Sequence, residues 1–224
     1  MSTREEALRV PLAGGDGLEL EALFVRGSDA RAPLMPPVST PVPVAAPHPL
    51  YGGDMHNPVV VALCSALRAR GRGTLRFNWR RNASGDAEQG LADCRAALTC
   101  ARGLARDGGS LPQVEEQAVL LAGYSFGAVS MLQLAASLSL AGKLLLVAPP
   151  PALLAGLDLE SLAAGVHVLV GAEDEYAPVA ELEALLESLP GPVSAGLSVL
   201  DGVDHFFATG GLDPIADFVG KALG

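Results

Sequence analysis

Apolar positions along this chain switch regularly between two spacings. Short runs that are apolar throughout, or that alternate residue by residue, give way to stretches whose apolar residues recur every three or four positions. That alternation predicts an α/β protein: a mostly parallel, twisted sheet with helices on both faces. Leu8 to Leu12 and Leu18 to Val25 alternate in polarity around Gly14-Gly15-Asp16-Gly17, the pattern of an antiparallel hairpin with one wet face, so an antiparallel N-terminal edge is expected. Ala118 to Ala122, Lys143 to Ala148 and His167 to Gly171 are apolar runs of the kind buried on both faces of a parallel sheet, and a last strand is expected to end at Val199-Leu200.

Helix boundaries are written in local chemistry. Asn57 can accept a hydrogen bond from the first turn, Pro58 suits the first helical position, and Gly71 can close a body running from Val59 to Arg70. Asp86 with Gln89 opens another helix whose Leu91, Cys94, Leu98 and Ala101 share one face. Further helices are expected from about Ser125, Val179 and Pro214, the last capped by Asp213. Two stretches resist the scheme. Pro33, Pro36, Pro37, Pro41, Pro43, Pro47 and Pro49 crowd one region, yet Val42 to Ala46 is apolar and leads into the first helix, so a central strand is expected there despite the ladder bond Pro43 cannot make. Pro149-Pro150-Pro151 and Ala152 to Leu157 are expected to be followed by a helical turn reaching Ala164.

Length and charge narrow the function. The 224 residues suit a single domain spanning 1–224. With 15 Lys and Arg against 25 Asp and Glu, the surface is not built to neutralise phosphates, and nucleic acid is excluded as a partner. Charges, Gly or Pro interrupt every apolar stretch before the ~18 residues that spanning a bilayer needs, so no membrane partner is expected. The polar opening Met1-Ser2-Thr3-Arg4-Glu5-Glu6 lacks the basic-then-apolar order of an export signal, which predicts a cytoplasmic protein. Cys64, Cys94 and Cys100 sit inside predicted helices at no metal or disulfide spacing and read as free thiols. Asn82-Ala83-Ser84 matches a glycosylation sequon, which has no meaning without export.

The chemistry concentrates downstream. Gly123-Tyr124-Ser125-Phe126-Gly127 follows one predicted strand directly and precedes a helical run. A serine in a sharp strand-to-helix turn needs small residues two positions to either side, and the turn lifts its hydroxyl clear of the sheet. Such a hydroxyl is a weak nucleophile until a histidine takes its proton and an acid holds that histidine in one tautomer. Asp174, in the loop after the strand ending at Gly171, is the chosen acid, with Glu173 and Glu175 as adjacent competitors. His205, after the last strand, is the chosen base, because His167 begins a strand and His48 and His56 precede the first helix.

With Ser125, Asp174 and His205 in that order, the chain resembles the α/β-hydrolase superfamily, specifically its small bacterial-type members without a large cap. The resemblance runs from about residue 45 to the end, and Pro47-His48-Pro49-Leu50-Tyr51-Gly52-Gly53-Asp54-Met55-His56-Asn57 carries its more specific part. It implies an oxyanion hole made from the Phe126 N–H and an N–H of that loop, Leu50 or Tyr51, since Pro49 has none. His48 is expected to pack under the loop. The family's Arg-Gly-x-Gly loop is replaced here by Phe77 to Gly85, which has lost those glycines. Tyr51, Met55, Trp79, Phe126, Tyr176 and Phe206 are the candidate pocket walls. The resemblance implies no metal and no organic cofactor. It also implies hydrolysis of small carboxylic esters, by a monomer or homodimer with an open cleft, since the segment from Ala148 to Val166 is too short for a lid. An aminopeptidase or acyltransferase on the same triad, and a binding protein that kept the fold without turnover, are the competing readings. Dienelactone chemistry is disfavoured by the serine, where a cysteine would stand.

Overall fold

A computed structural model describes residues 4–13, 17–27, 40–81, 84–106, 118–191 and 193–224. The alternating opening forms β1 (Glu6–Pro11) and β2 (Glu19–Val25), paired antiparallel with Val10 opposite Leu20. Val10, Leu20, Ala22 and Phe24 point into the core. Residues 14–16 of the expected turn, the prolines at 33, 36 and 37, and residues 82–83 of the sequon lie outside the described residues. The remaining strands are β3 (Val42–Ala45), β4 (Thr74–Phe77), β5 (Val119–Tyr124), β6 (Ala141–Val147), β7 (Ala163–Gly171) and β8 (Ala195–Leu200), in spatial order β1-β2-β4-β3-β5-β6-β7-β8. β2 meets β4 antiparallel, and every pairing from β4 to β8 is parallel.

Pro43 fits a central strand because of register. Val42 N–H donates to Gly73 O on the β4 side at 2.8 Å, so alternation turns the Pro43 nitrogen toward β5, whose pairing with β3 begins only at Val44. The missing donor therefore falls where no ladder bond is required.

Helix α1 (Pro58–Ala69) starts and stops where its local chemistry dictates. Asn57 Oδ1 accepts the Val59 N–H at 2.9 Å, and Gly71 follows at φ +76. α2 (Ala87–Arg106) buries Cys94, Leu98 and Ala101, and Asp86 Oδ1 caps it through the Gln89 N–H at 2.8 Å. The Gln89 side chain turns instead to the Ser84 N–H. α3 (Phe126–Ser137), α4 (Val179–Ser188) and α5 (Pro214–Leu223) complete the set. Two expectations are corrected. Asp213 is already helical (φ −57, ψ −37) and its side chain makes no capping bond, because the turn is closed through Leu212 O and Asp213 O. Ala163 and Ala164 belong to β7, extended by pairing with β6, and the segment before them holds a 3-10 turn at Pro151–Leu153.

The strand order places the site. From β3 the chain moves through α1 to β4 on one side, whereas from β5 it moves through α3 to β6 on the other. Right-handed crossovers then put α1 and α3 on opposite faces, and a crevice opens between the carboxyl ends of β3 and β5. The thiols take no part in it. Among the described residues all three are free, and burial pushes the Cys64 thiol up to about 11 and raises Cys94 and Cys100 as well.

Candidate active site

β5 runs without interruption into Tyr124, and the next residue breaks it. Ser125 adopts φ 54, ψ −121, a conformation side chains avoid, and stands at the head of α3 with no side-chain capping bond. Its N–H is tied to Val147 O at 2.9 Å. Glycine is required on both sides by close approach. A Cβ on Gly123 would press into the Gly127 carbonyl, and one on Gly127 into the Ala45 and Ala46 carbonyls of β3. The turn is thus wedged against backbone that cannot move aside, which leaves Ser125 Oγ projecting into the crevice.

There it meets His205, whose Nε2 lies 3.0 Å from Ser125 Oγ. On the other side of the ring, His205 Nδ1 lies 2.8 Å from Asp174 Oδ2 and 3.0 Å from Oδ1. A carboxylate only accepts, so the Nδ1–H donates to Asp174 and Nε2 presents its lone pair to the serine. Asp174 is itself held, since its Oδ1 accepts the Tyr176 N–H at 2.9 Å and the Ala177 N–H at 2.7 Å. Its neighbours do not compete. Glu173 and Glu175 are exposed, while Ser125, Asp174 and His205 are each more than nine-tenths buried. The Glu173 N–H to Val203 O bond joins the acid loop to the histidine loop.

Phe126 N–H heads α3 with no hydrogen-bond partner among the described residues. The loop after β3 differs from expectation. Pro49–Tyr51 forms a 3-10 turn in which Leu50 N–H donates to His48 Nδ1 at 3.2 Å and Tyr51 N–H to His48 O at 3.1 Å. Neither N–H is open, because the turn uses both to close itself around His48. The His48 ring packs against Phe126 (centroids 4.8 Å apart) and Tyr51 (5.0 Å).

Of the candidate walls, Tyr176 and Phe206 flank the base, with centroids 4.9 and 5.4 Å from the His205 ring. Both are more than half exposed, as is Tyr51. Met55 and Trp79 are as buried as the reacting groups, Trp79 donating its indole N–H to Pro47 O and packing edge-on to Phe77 and Phe126, Met55 giving its N–H to Asn78 Oδ1. The loss of loop glycines after β4 is made up by side chains. Asn78 bridges Met55 to Glu21, and Arg80 folds onto the buried Asp93, its Nε 2.8 Å from Oδ1.

One residue of the site was missed altogether. The Tyr124 hydroxyl donates to the His205 carbonyl at 2.7 Å. Burial, with Asp174 and Asp204 nearby, raises that phenol far above its ordinary range, so it stays a donor. A phenol in the last strand position before the serine was the available signal. Among the described residues no group of three or more His, Cys, Asp or Glu side chains could hold a metal, and no helix is long and apolar enough to cross a membrane.

No protein-family model matches the chain. An uncharacterized protein of Rickettsia prowazekii is 26% identical over 194 residues, covering 84% of this chain and 77% of its own. Among solved structures, an alpha-beta serine hydrolase homologue from Coxiella burnetii is similar at 25% identity and TM-score 0.75, over 100% of this chain and 99% of that one. A lidless serine hydrolase from Xanthomonas campestris is similar at 26% identity and TM-score 0.70, over 100% and 95%.

Proposed function

We propose that this chain, an α/β hydrolase without a lid, is a single-domain cytoplasmic serine hydrolase that cleaves small carboxylic esters through an acyl-enzyme on Ser125. His205 Nε2 takes the hydroxyl proton as Oγ bonds to the ester carbonyl carbon, and the carbonyl π electrons move onto oxygen. The Phe126 N–H stabilises that oxyanion, joined by the Leu50 N–H once it leaves His48 Nδ1. Collapse of the intermediate expels the alkoxide, which takes the proton back from His205. Water then repeats the sequence, delivering its proton to His205 and releasing the acid and a protonated Ser125.

The observation that carries this reading is the His205 ring spanning Ser125 and Asp174, its Nε2 at hydrogen-bond distance from Ser125 Oγ and its Nδ1 from Asp174 Oδ2, with Ser125 at a strained turn. The substrate class is argued from the rim. Tyr176 and Phe206 are exposed aromatic surfaces against the His205 ring and Tyr51 is an exposed one on the loop after β3, while Glu173 and Glu175 are exposed carboxylates on either side of Asp174 in a chain of net charge −10. Uncharged esters with a modest apolar acyl group suit that surface, and anionic ones are repelled. The short, lidless segment after β6 favours soluble over interfacial substrates.

The test is a p-nitrophenyl ester series with fluorophosphonate labelling. The parent should hydrolyse short esters and label at Ser125, and Ser125→Ala should lose at least ~10⁴-fold in kcat, as nucleophile loss does in other triads. Activity of Ser125→Ala within tenfold of the parent would remove the proposal.

A further inference from the structure

The residue before the nucleophile is joined to the main chain of the base. Tyr124 is almost fully buried, its hydroxyl donates to the His205 carbonyl across 81 positions of sequence at 2.7 Å, and its ring meets the Phe207 ring edge-on at 6.1 Å. Phe207 is a non-glycine residue at φ 56, so the stretch just after the base is in a conformation that persists only if its surroundings enforce it. Of the other ties in this loop, Phe207 N–H to Asp204 O, Ala208 N–H to Asp204 Oδ1 and Thr209 Oγ1–H to Gly202 O are local, and Glu173 N–H to Val203 O joins it to the acid loop and not to β5. They shape the loop without locating it against β5. The Asp174 contact grips only the imidazole, about which the side-chain torsions can still turn.

We propose that Tyr124 is a positioning residue, fixing the backbone of His205 relative to Ser125 so that Nε2 stays within proton-transfer distance of Oγ through the cycle. Resting on the hydrolase reading above, the inference concerns a residue that need not touch substrate. Tyr124 and Ser125 share a peptide bond at the end of β5, so the strand that presents the nucleophile also holds the base, and the two cannot drift apart independently. Transfer of a proton between Oγ and Nε2 tolerates little excess distance, so losing this tie should act on the chemical step and not on substrate capture.

The experiment is Tyr124→Phe beside Thr74→Val, each removing one buried hydroxyl, the second at the opposite end of the sheet. Phenylalanine retains the ring and its contact with Phe207, so the core remains packed. Tyr124→Phe should lower kcat for p-nitrophenyl acetate about tenfold, the scale of one buried hydrogen bond, with KM unchanged. Its fluorophosphonate labelling should slow by the same factor. Thr74→Val should leave kcat at the parent value even where its thermal midpoint falls as far. Tyr124→Phe with kcat within twofold of the parent, while Ser125→Ala is inactive, would overturn the positioning role and leave the triad standing. Full activity in Ser125→Ala would instead remove both readings together.

Discussion

Asp174→Asn isolates what the acid does. Asp174 Oδ1 receives two backbone N–H groups, from Tyr176 and Ala177, while Oδ2 faces His205 Nδ1 at 2.8 Å. An asparagine placed here has one acceptor and one donor end, and two main-chain donors dictate which goes where: the amide oxygen must occupy the Oδ1 position, and the NH₂ must then point at His205 Nδ1. That nitrogen can only accept, so its proton moves to Nε2 and is aimed at Ser125 Oγ. The histidine becomes a donor where catalysis requires an acceptor. Volume and capping bonds are unchanged, so the fold should be retained, with a thermal midpoint within a few degrees of the parent. Loss of the correct tautomer costs ~10⁴ in kcat in a comparable triad, equivalent to about 5.5 kcal/mol at 1.36 kcal/mol per tenfold. The assay is steady-state hydrolysis of p-nitrophenyl acetate, with fluorophosphonate labelling rates and circular dichroism on the same samples. Asp174→Asn that is well folded and within tenfold of the parent in kcat would refute the assignment of Asp174 as the orienting acid, and Glu173→Gln and Glu175→Gln would then need testing.

Two further outcomes follow from groups outside the reacting set. Asp93→Ala removes a carboxylate that is 1% exposed and leaves the Arg80 guanidinium, 20% exposed, without its partner; the expected cost is about 3 kcal/mol of unfolding free energy, read from urea denaturation, and a loss below about 0.5 kcal/mol would show the pair to be idle. His167 is half-buried and its pKa is lowered first by burial and then by Lys143, so above about pH 6.5 it is neutral whether folded or not, and below that the unfolded chain binds the proton more readily. Stability should therefore decline as pH falls from 6.5 toward the lowered value, and His167→Gln should reduce that decline in a urea-midpoint titration; an identical pH slope in both proteins would contradict it.

Reading the sequence located the elements wherever their signals are local. The span of α1 follows from Asn57, Pro58 and Gly71, residues whose effects reach no further than a turn of helix. The elbow was legible for the same reason, because the steric demand at Gly123 and Gly127 arises within five residues of one turn and the strand it abuts. The cap assigned to Asp213 failed because the identity of a residue does not set its dihedrals, and Leu212 O closes that turn instead.

What remained hidden depends on partners far apart in the chain. Three consecutive acids, Glu173, Asp174 and Glu175, are equivalent as letters, and the middle one faces His205 in a loop held by Glu173 N–H to Val203 O and by the Tyr176 and Ala177 N–H groups on Asp174 Oδ1. The bonds that hold Met55 and Trp79 in place, to Asn78 and to the Pro47 carbonyl, likewise span 23 and 32 positions of chain. Tyr124 carried no visible role until the fold brought the His205 carbonyl to its hydroxyl. The amino-acid sequence alone thus determined the order of strands and helices and the sharp turn at Ser125, and it singled out His205 as the histidine to meet that serine, since these rest on backbone preferences, hydrophobic spacing over a few residues and the small number of histidines. Direction of side chains, the state of each loop N–H and the choice among neighbouring carboxylates were decided by tertiary structure, because a hydrogen bond is made with whatever stands within 3 Å, and chain distance does not determine that.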